Sequence, residues 1–461
     1  MLNPNIFRAY DIRGIYGDTL TDEIAFAIGQ AVGSVARDAG EVRVAIGRDG
    51  RLSSPELSRQ LAAGLRVAGC DVVDLGMLPS PVLYHAVNTQ LDLRSAVMVT
   101  GSHNPVDYNG FKIMIAGEVL SAQQIQQLYQ RIVSGELRRE RPGELFQREV
   151  LCDYLDDVLA RHRLPRPMKV VLDSGNGVAG MVVPYLFRAM GCEVVSLFED
   201  VDGSFPNHHP DPCDPANLAS LIEAVQEHGA DLGIGFDGDG DRLGVVLENG
   251  RIVYTDVLLM ALAEDLLQRS PGAQVVFDVK CTGQLFGVIE GAGGRAEMWK
   301  TGHSMIKRRM EETGALLGGE ASGHIYLSEN WYGVDDPMVA AVRLLQILGR
   351  HDGPASDYFE RFPMPLTTPE LMLAATEETK FLIVEDVRAQ AALFEGARIT
   401  LLDGLRVDFP DGWALCRASN TSPNLVLRFE GVDEPALERI RAQMMAVVTA
   451  AAARHSSEGA S

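Results

Sequence analysis

Hydrophobic and polar positions follow two periods along most of the chain. A short β-branched run at residues 42–47 ends in the polar turn Arg48-Asp49-Gly50. The same pattern returns at residues 170–172, ahead of Asp173-Ser174-Gly175-Asn176-Gly177, and at residues 275–277, ahead of Asp278-Val279-Lys280. A stretch with helical spacing follows each run, as at residues 55–68. Second short strands are expected at 71–75, 193–197 and 296–299, and third strands at 96–99, 231–236 and 315–317. Strand, helix, strand, helix, strand predicts an α/β layer on a largely parallel sheet, and the pattern occurs three times.

The tail reads differently. Pro363, Pro365 and Pro369 mark a linker. Beyond it, residues 404–409 and 414–416 read as strands joined by a Pro-Asp-Gly turn, and residues 424–429 as another strand. Asp433 is expected to cap a final helix running to Val448, with residues 455–461 frayed. This makes a smaller α+β unit.

Ligands of parallel sheets gather where strands end. The three third strands run into three different polar loops: Thr100-Gly101-Ser102-His103-Asn104-Pro105, Asp237-Gly238-Asp239-Gly240-Asp241-Arg242, and Glu320-Ala321-Ser322-Gly323-His324. Any one of them alone could be a solvated connection. Three at equivalent places point to function and not to three ordinary turns.

In an extended segment Asp237, Asp239 and Asp241 would face one side, with Gly238 and Gly240 letting the backbone curl. Clustered carboxylates repel, and a hard divalent cation such as Mg²⁺ or Ca²⁺ relieves them. An EF-hand is excluded, because Arg242 stands where that loop needs glycine and strands flank the segment. Ser102 could merely cap a turn. Its hydroxyl is a weak nucleophile, but phosphoryl transfer asks chiefly for in-line positioning and charge neutralisation, which a nearby metal would help supply. From spacing alone Lys112 reads as a surface lysine. Glu320 and Ser322 suit adjacent sugar hydroxyls. Arg417-Ala418-Ser419-Asn420-Thr421-Ser422-Pro423 combines a guanidinium with small hydrogen-bonding side chains, a composition suited to phosphate.

Composition narrows the field. The 461 residues suggest three or four domains, and 46% apolar content is enough for large cores. With 63 acidic against 41 basic side chains the net charge is −22, which argues against nucleic acid and anionic membrane as partners. An anionic substrate therefore needs locally gathered cations. Six scattered cysteines with no Cys-x-x-Cys pair read as reduced thiols of a cytoplasmic protein. Neither a signal peptide nor a membrane span is evident.

Together with Phe7-Arg8-Ala9-Tyr10-Asp11-Ile12-Arg13-Gly14, these loops resemble, in order and over nearly the whole chain, the α-D-phosphohexomutase family, nearest its bacterial phosphomannomutase/phosphoglucomutase branch. The resemblance implies three similar α/β domains with mixed, largely parallel sheets around a cleft, plus a C-terminal α+β domain like the TATA-binding protein. The expected boundaries are 1–148, 149–251, 252–363 and 364–461. It implies that Ser102 is a phosphoserine and that Asp237, Asp239 and Asp241 hold Mg²⁺ with it. Glu320 and Ser322 would bind sugar hydroxyls, and Arg417, Ser419, Asn420 and Thr421 the non-reacting phosphate. Tyr10, Arg13, His103, Lys112, Arg242, Lys280, His303 and His324 match other active-site positions; Arg13, Lys112 and His324 are the foremost acid–base or charge-stabilising candidates.

The implied reaction is a reversible exchange of hexose 1-phosphate and hexose 6-phosphate through a bound hexose 1,6-bisphosphate, in a monomer whose partner is a small phosphosugar. Ser419-Asn420-Thr421-Ser422, in place of the Ser-Gly-Thr-Glu usual in the phosphoglucosamine mutase branch, favours mannose and glucose phosphates. The rivals are phosphoglucosamine mutase, a metal-dependent sugar phosphatase and a non-catalytic sugar-phosphate-binding protein.

Overall fold

A computed structural model describes residues 2–90, 92–420 and 422–456. The chain packs as two compact units, residues Met1–Leu262 with Ser322–Arg361, and Ala263–Ala321 with Phe362–Ser461.

The first unit contains two sheets. In the first, strands Ala96–Val99, Arg43–Arg48, Asp71–Met77 and Leu145–Gln147 run parallel in that order. Strands Tyr108–Ile115 and Ile12–Ile15 extend it antiparallel beyond Ala96–Val99. Helices Asp22–Asp38 and Ser54–Val67 pack closely on one another through glycine. A Cβ on Gly29 would lie 2.2 Å from Leu61 O, and one on Gly64 2.1 Å from Phe26 O. Ile28, Val32, Leu57, Leu61, Val44, Ile46, Val97 and Phe111 are among the core residues beneath.

The second sheet repeats the plan. Strands Leu232–Phe236, Lys169–Asp173 and Glu193–Leu197 are parallel, while Leu243–Leu247 and Ile252–Val253 continue it antiparallel. Each sheet thus has a parallel core and an antiparallel flank, as expected of a mixed sheet. The same unit holds the antiparallel pair Ile325–Leu327 and Val334–Asp335, followed by helix Pro337–Leu348, whose first turn Asp336 caps by accepting from Val339 N.

In the second unit, strands Arg295–Trp299, Gln274–Asp278 and Leu317–Gly319 are parallel. Its C-terminal part is an antiparallel sheet in which Asn424–Gly431 pairs with Gly412–Ala418 on one side and with Leu366–Thr367 and Leu371–Ala374 on the other. Strands Leu405–Phe409 and Arg398–Thr400 complete it. The final helix places Ile440, Met444, Val448 and Ala451 on one buried face against Leu405, Leu427 and Phe429. Asp433 accepts from Ala436 N at 2.8 Å, the expected cap. The helix does not stop near Val448 but continues to Ser456, with Arg454 and His455 held to Asp386. Residues 457–461 lie outside the described residues. None of the six cysteines is in a disulfide, and among the described residues no helix is long and apolar enough to cross a membrane.

Candidate active site

The serine loop begins at the end of strand Ala96–Val99, and its shape is set by the loop after the neighbouring parallel strand. Asp49 accepts from Thr100 Oγ1 at 2.7 Å, Gly101 N at 3.1 Å and Arg51 N at 3.0 Å. Arg51, only 1% exposed, forks across the loop: Nη2 donates to the carbonyls of Ser102 and Asn104, Nη1 to those of Pro105 and Tyr108. Gly101 is required here, since a Cβ would lie 2.4 Å from the Arg51 guanidinium carbon. Arg13 adds bonds from Nη1 to Gly101 O and to Asn104 Oδ1, both 2.6 Å, and pairs with Asp11. So clamped, Ser102 adopts φ +48°, a left-handed conformation that a non-glycine residue keeps only when its surroundings impose it. Its hydroxyl is buried and donates to Asp237 Oδ2 at 2.8 Å.

The carboxylate loop curls, as its glycines allow, into a tight turn in place of a strictly extended segment. Gly240 N donates to Asp237 O, and Asp237 Oδ1 accepts from the backbone N–H groups of Asp241 and Arg242. Gly240 has φ +69°. Gly238 serves close approach, because a Cβ there would sit 2.6 Å from Ser102 O. All three carboxylates are buried, and one ligand oxygen from each lies within 4.8 Å of the others. Glu248, twelfth residue counted from Asp237, where an EF-hand places its last ligand, accepts from Ser356 instead.

Lys112 is not a surface lysine. It is 5% exposed, and its Nζ reaches Asp239 Oδ2 at 2.6 Å and also Asp241 Oδ2. Burial opposes its charge, but Asp239 and Asp241 outweigh that and hold the ammonium well above its ordinary pKa. Ser80 also donates to Asp239 Oδ2. One lysine does not compensate three carboxylates. Burial, with Asp241 and Asp239 beside it, pushes Asp237 well up, while Asp241, facing Lys112, is held at about 2 against its burial. Asp239 Oδ1 and Asp241 Oδ1 are buried with no hydrogen-bond partner among the described residues. Unsatisfied hard oxygens and a raised carboxyl pKa fit a site for a divalent cation such as Mg²⁺.

His324 joins the edge of this cluster, its Nδ1 3.3 Å from Asp335 Oδ2 and 3.8 Å from Asp241 Oδ1. His103 follows Ser102, with Nδ1 3.4 Å from the serine hydroxyl; desolvation and the charge of Arg242 keep it neutral far below its usual pKa. Arg242 is held above its ordinary pKa by Asp211, Cys213 and Asp237, against the cost of burial. Ser322 accepts at its carbonyl from Cys213 Sγ at 2.9 Å. Tyr10 lies half-buried in the bend ahead of strand Ile12–Ile15.

The remaining expected residues are in the second unit. Asp278, at the end of its strand, accepts from Thr301 Oγ1 at 2.8 Å and Ala321 N at 3.1 Å. Glu320 is 1% exposed and accepts from Gly302 N at 2.8 Å, just before His303 opens its helix. Lys280 pairs with Glu370 at 2.8 Å. Arg417 Nε meets Asp403 Oδ2 at 3.0 Å, and Ser419 Oγ accepts from Ser422 N and Ser422 Oγ. Asn420 follows in the same turn, half-buried; Thr421 lies outside the described residues.

Sequence reasoning passed over Asp49, Arg51, Ser80, Asp278, Asp335, Glu370 and Asp403. For two of them a signal was available: Asp49 and Asp278 both close the first strand of their repeat, and each accepts a backbone N–H from the loop after the third strand.

Family models described as phosphoglucomutase/phosphomannomutase, alpha/beta/alpha domains I, II and III, match residues 4–139, 152–250 and 254–365, and the model of the C-terminal domain matches 372–447. A phosphomannomutase/phosphoglucomutase from Pseudomonas aeruginosa is 54% identical over 95% of this chain and 94% of its own length. A phosphoglucomutase from Neisseria meningitidis is 48% identical over 96% of each. The crystal structure of a phosphoglucomutase/phosphomannomutase family protein from Burkholderia thailandensis superposes with a TM-score of 0.92 at 46% identity, over 98% of both chains.

Proposed function

Because the chain belongs to the phosphoglucomutase/phosphomannomutase family and is an enzyme of that kind, we propose that it interconverts the 1- and 6-phosphates of mannose and glucose through phosphorylated Ser102 and a bound hexose 1,6-bisphosphate. The observation that carries this reading is Ser102 Oγ, buried and 2.8 Å from Asp237 in a cluster with Asp239, Asp241 and Lys112. A hydroxyl so placed has no structural need of three carboxylates. As an attachment point for a phosphoryl group beside a cation site, it does.

In the first half-reaction a hydroxyl oxygen of the hexose monophosphate bonds to the phosphorus on Ser102 as the Oγ–phosphorus bond breaks. His324 takes the hydroxyl proton, and Asp335 stabilises the resulting imidazolium, an arrangement 3.3 Å apart. Ser102 Oγ leaves as an alkoxide and takes a proton from solvent, to which the His324 imidazolium gives up its own. The bisphosphate then turns over in the site, and the other phosphate returns to Ser102 by the reverse steps. Lys112 and Arg13 spread positive charge around the serine loop as the phosphoryl group moves. Asp237, Asp239, Asp241 and a phosphoserine oxygen would hold Mg²⁺, which would neutralise charge on the phosphoryl oxygens. Lys280, Arg417, Ser419, Asn420 and Thr421 grip the phosphate that is not reacting. Glu320, Ser322 and His303 bind the sugar, with Tyr10, His103 and Arg242 lining the site. Reduced cysteines favour the cytoplasm as its location.

A coupled assay tests the reading. Mannose 1-phosphate, glucose 1-phosphate and glucosamine 1-phosphate are offered with Mg²⁺ and trace bisphosphate. The first two should yield 6-phosphates faster than the third. Release of inorganic phosphate in place of an isomer would refute the proposal.

A further inference from the structure

We propose that Glu370 is an internal anion that competes with the substrate's phosphate for Lys280 and so sets the affinity of the anion site. This rests on Lys280 and Arg417 being phosphosugar ligands, as argued above.

Glu370 stands just before strand Leu371–Ala374. That strand pairs antiparallel with Asn424–Gly431, Leu371 opposite Leu427, so the register continued by one residue sets Glu370 opposite Arg428. Its Oε1 accepts from Lys280 Nζ at 2.8 Å, and Arg428 Nη1 donates to the Lys280 carbonyl at 2.7 Å. Lys280, with Arg428 and Arg417 adding to it, holds the Glu370 carboxyl at about 2, so it stays ionised at any working pH. In an acidic chain, three cations around one carboxylate form a local positive field of the kind an anionic ligand needs.

Asp278 also adds to the charge around Lys280, and the two carboxylates paired directly with these cations, Asp403 and Glu370, differ. Asp403 meets Arg417 through Nε, behind the fork that clasps a phosphate, and also accepts from Thr301 N at 3.2 Å. That contact orients the guanidinium. Glu370 meets Lys280 at Nζ, the charged atom a phosphate would seek. Its side chain is 33% exposed against 8% for the lysine. On displacement the glutamate regains water, whereas the buried ammonium needs another anion. A phosphate can therefore exchange for Glu370 while Lys280 stays in place, and binding is weaker by the work of displacing and repelling the resident carboxylate.

Glu370→Gln keeps the shape and removes the charge; Glu370→Ala removes both. Inorganic phosphate is titrated calorimetrically into the full chain, with circular dichroism to confirm folding. In both variants phosphate should bind about three- to tenfold more tightly than in the parent, with steeper salt dependence. KM for glucose 1-phosphate should fall by a similar factor. Unchanged or weaker phosphate binding in either folded variant would overturn the proposal, because Glu370 would then serve to position Lys280. Phosphate binding needs no turnover, so the two readings fail separately. If the coupled assay gives no isomer while phosphate binding tightens, only the proposed reaction falls.

Discussion

The serine and carboxylate loops of the first unit and the cationic loops of the second solve opposite electrostatic problems. In the first, charge is locked. Arg51 and Asp49 are essentially unexposed, and Lys112, Asp239 and Asp241 are all nearly so. Their partners are fixed by backbone carbonyls, strand register and a left-handed serine. In the second, charge is held in reserve. Lys280 and Arg417 are buried, but their carboxylate partners are 33% and 18% exposed. A centre that must present one oxygen in line gains from rigidity. On the proposed reading, a grip that accepts either end of a sugar gains from one partner that can exchange, Glu370, beside one that orients, Asp403. The repeat cuts across this contrast: Asp49 in the first unit and Asp278 in the second brace the third-strand loop of their own repeats alike, whereas Asp173 accepts from Gly175 N and faces His208 at 3.1 Å.

The largest effect should come from disturbing the locked cluster. Chelating divalent metal should abolish turnover and Mg²⁺ should restore it, while Lys112→Met should lower kcat by about 10²-fold or more in steady-state assays. Near-normal kcat in that variant would mean that the cluster is only structural. Next, Arg51→Met removes the guanidinium that bonds four loop carbonyls and pairs with Asp49. With that ion pair and those four side-chain bonds lost, it should destabilise the first unit by about 3–5 kcal/mol, read as faster amide exchange in strand Ala96–Val99, with little change in the second unit.

A pH test probes the first unit alone. His162 is 1% exposed beside Trp331; burial, then Arg343 and Arg161, depress its pKa to about 4. The unfolded imidazole takes a proton below about 6.5 and the folded one only near 4, so stability is complete above 6.5 and is lost as pH falls through that window. In unfolding free energies from urea titrations at pH 7.5 and pH 4.5, His162 should account for up to about 3 kcal/mol of the loss, and His162→Phe should remove that share. The smallest effect belongs to the grip. Arg417→Lys should raise KM about tenfold with kcat little changed, since lysine cannot both meet Asp403 through Nε and fork onto a phosphate. Equal losses in kcat and kcat/KM would erase the contrast between the two regions.

The three strand-end loops were legible because apolar runs stop abruptly at glycine-rich polar segments, a one-dimensional signal. Convergence was not. Lys112 read as exposed because strand Tyr108–Ile115 is buried on both faces, so alternation carries no information there. The glycines of the Asp loop signalled that its backbone could curl, but not that Gly240 would take a left-handed conformation and close a tight turn. Arg51 was invisible because its acceptors are carbonyls 51 to 57 residues away, and carbonyls have no sequence identity. The last helix runs past Val448 because the next turn, residues 450–453, is all alanine, the strongest helix former.

The central claim is that Ser102 carries the phosphoryl group. The direct measurement is intact-mass and peptide mass spectrometry of the chain after incubation with glucose 1,6-bisphosphate and Mg²⁺, alongside Ser102→Ala. The account predicts one phosphate per chain, located on Ser102, lost on adding excess hexose monophosphate with matching formation of bisphosphate, and absent from the variant. Phosphate on another residue, or isomerisation at the parent rate by Ser102→Ala, would contradict it.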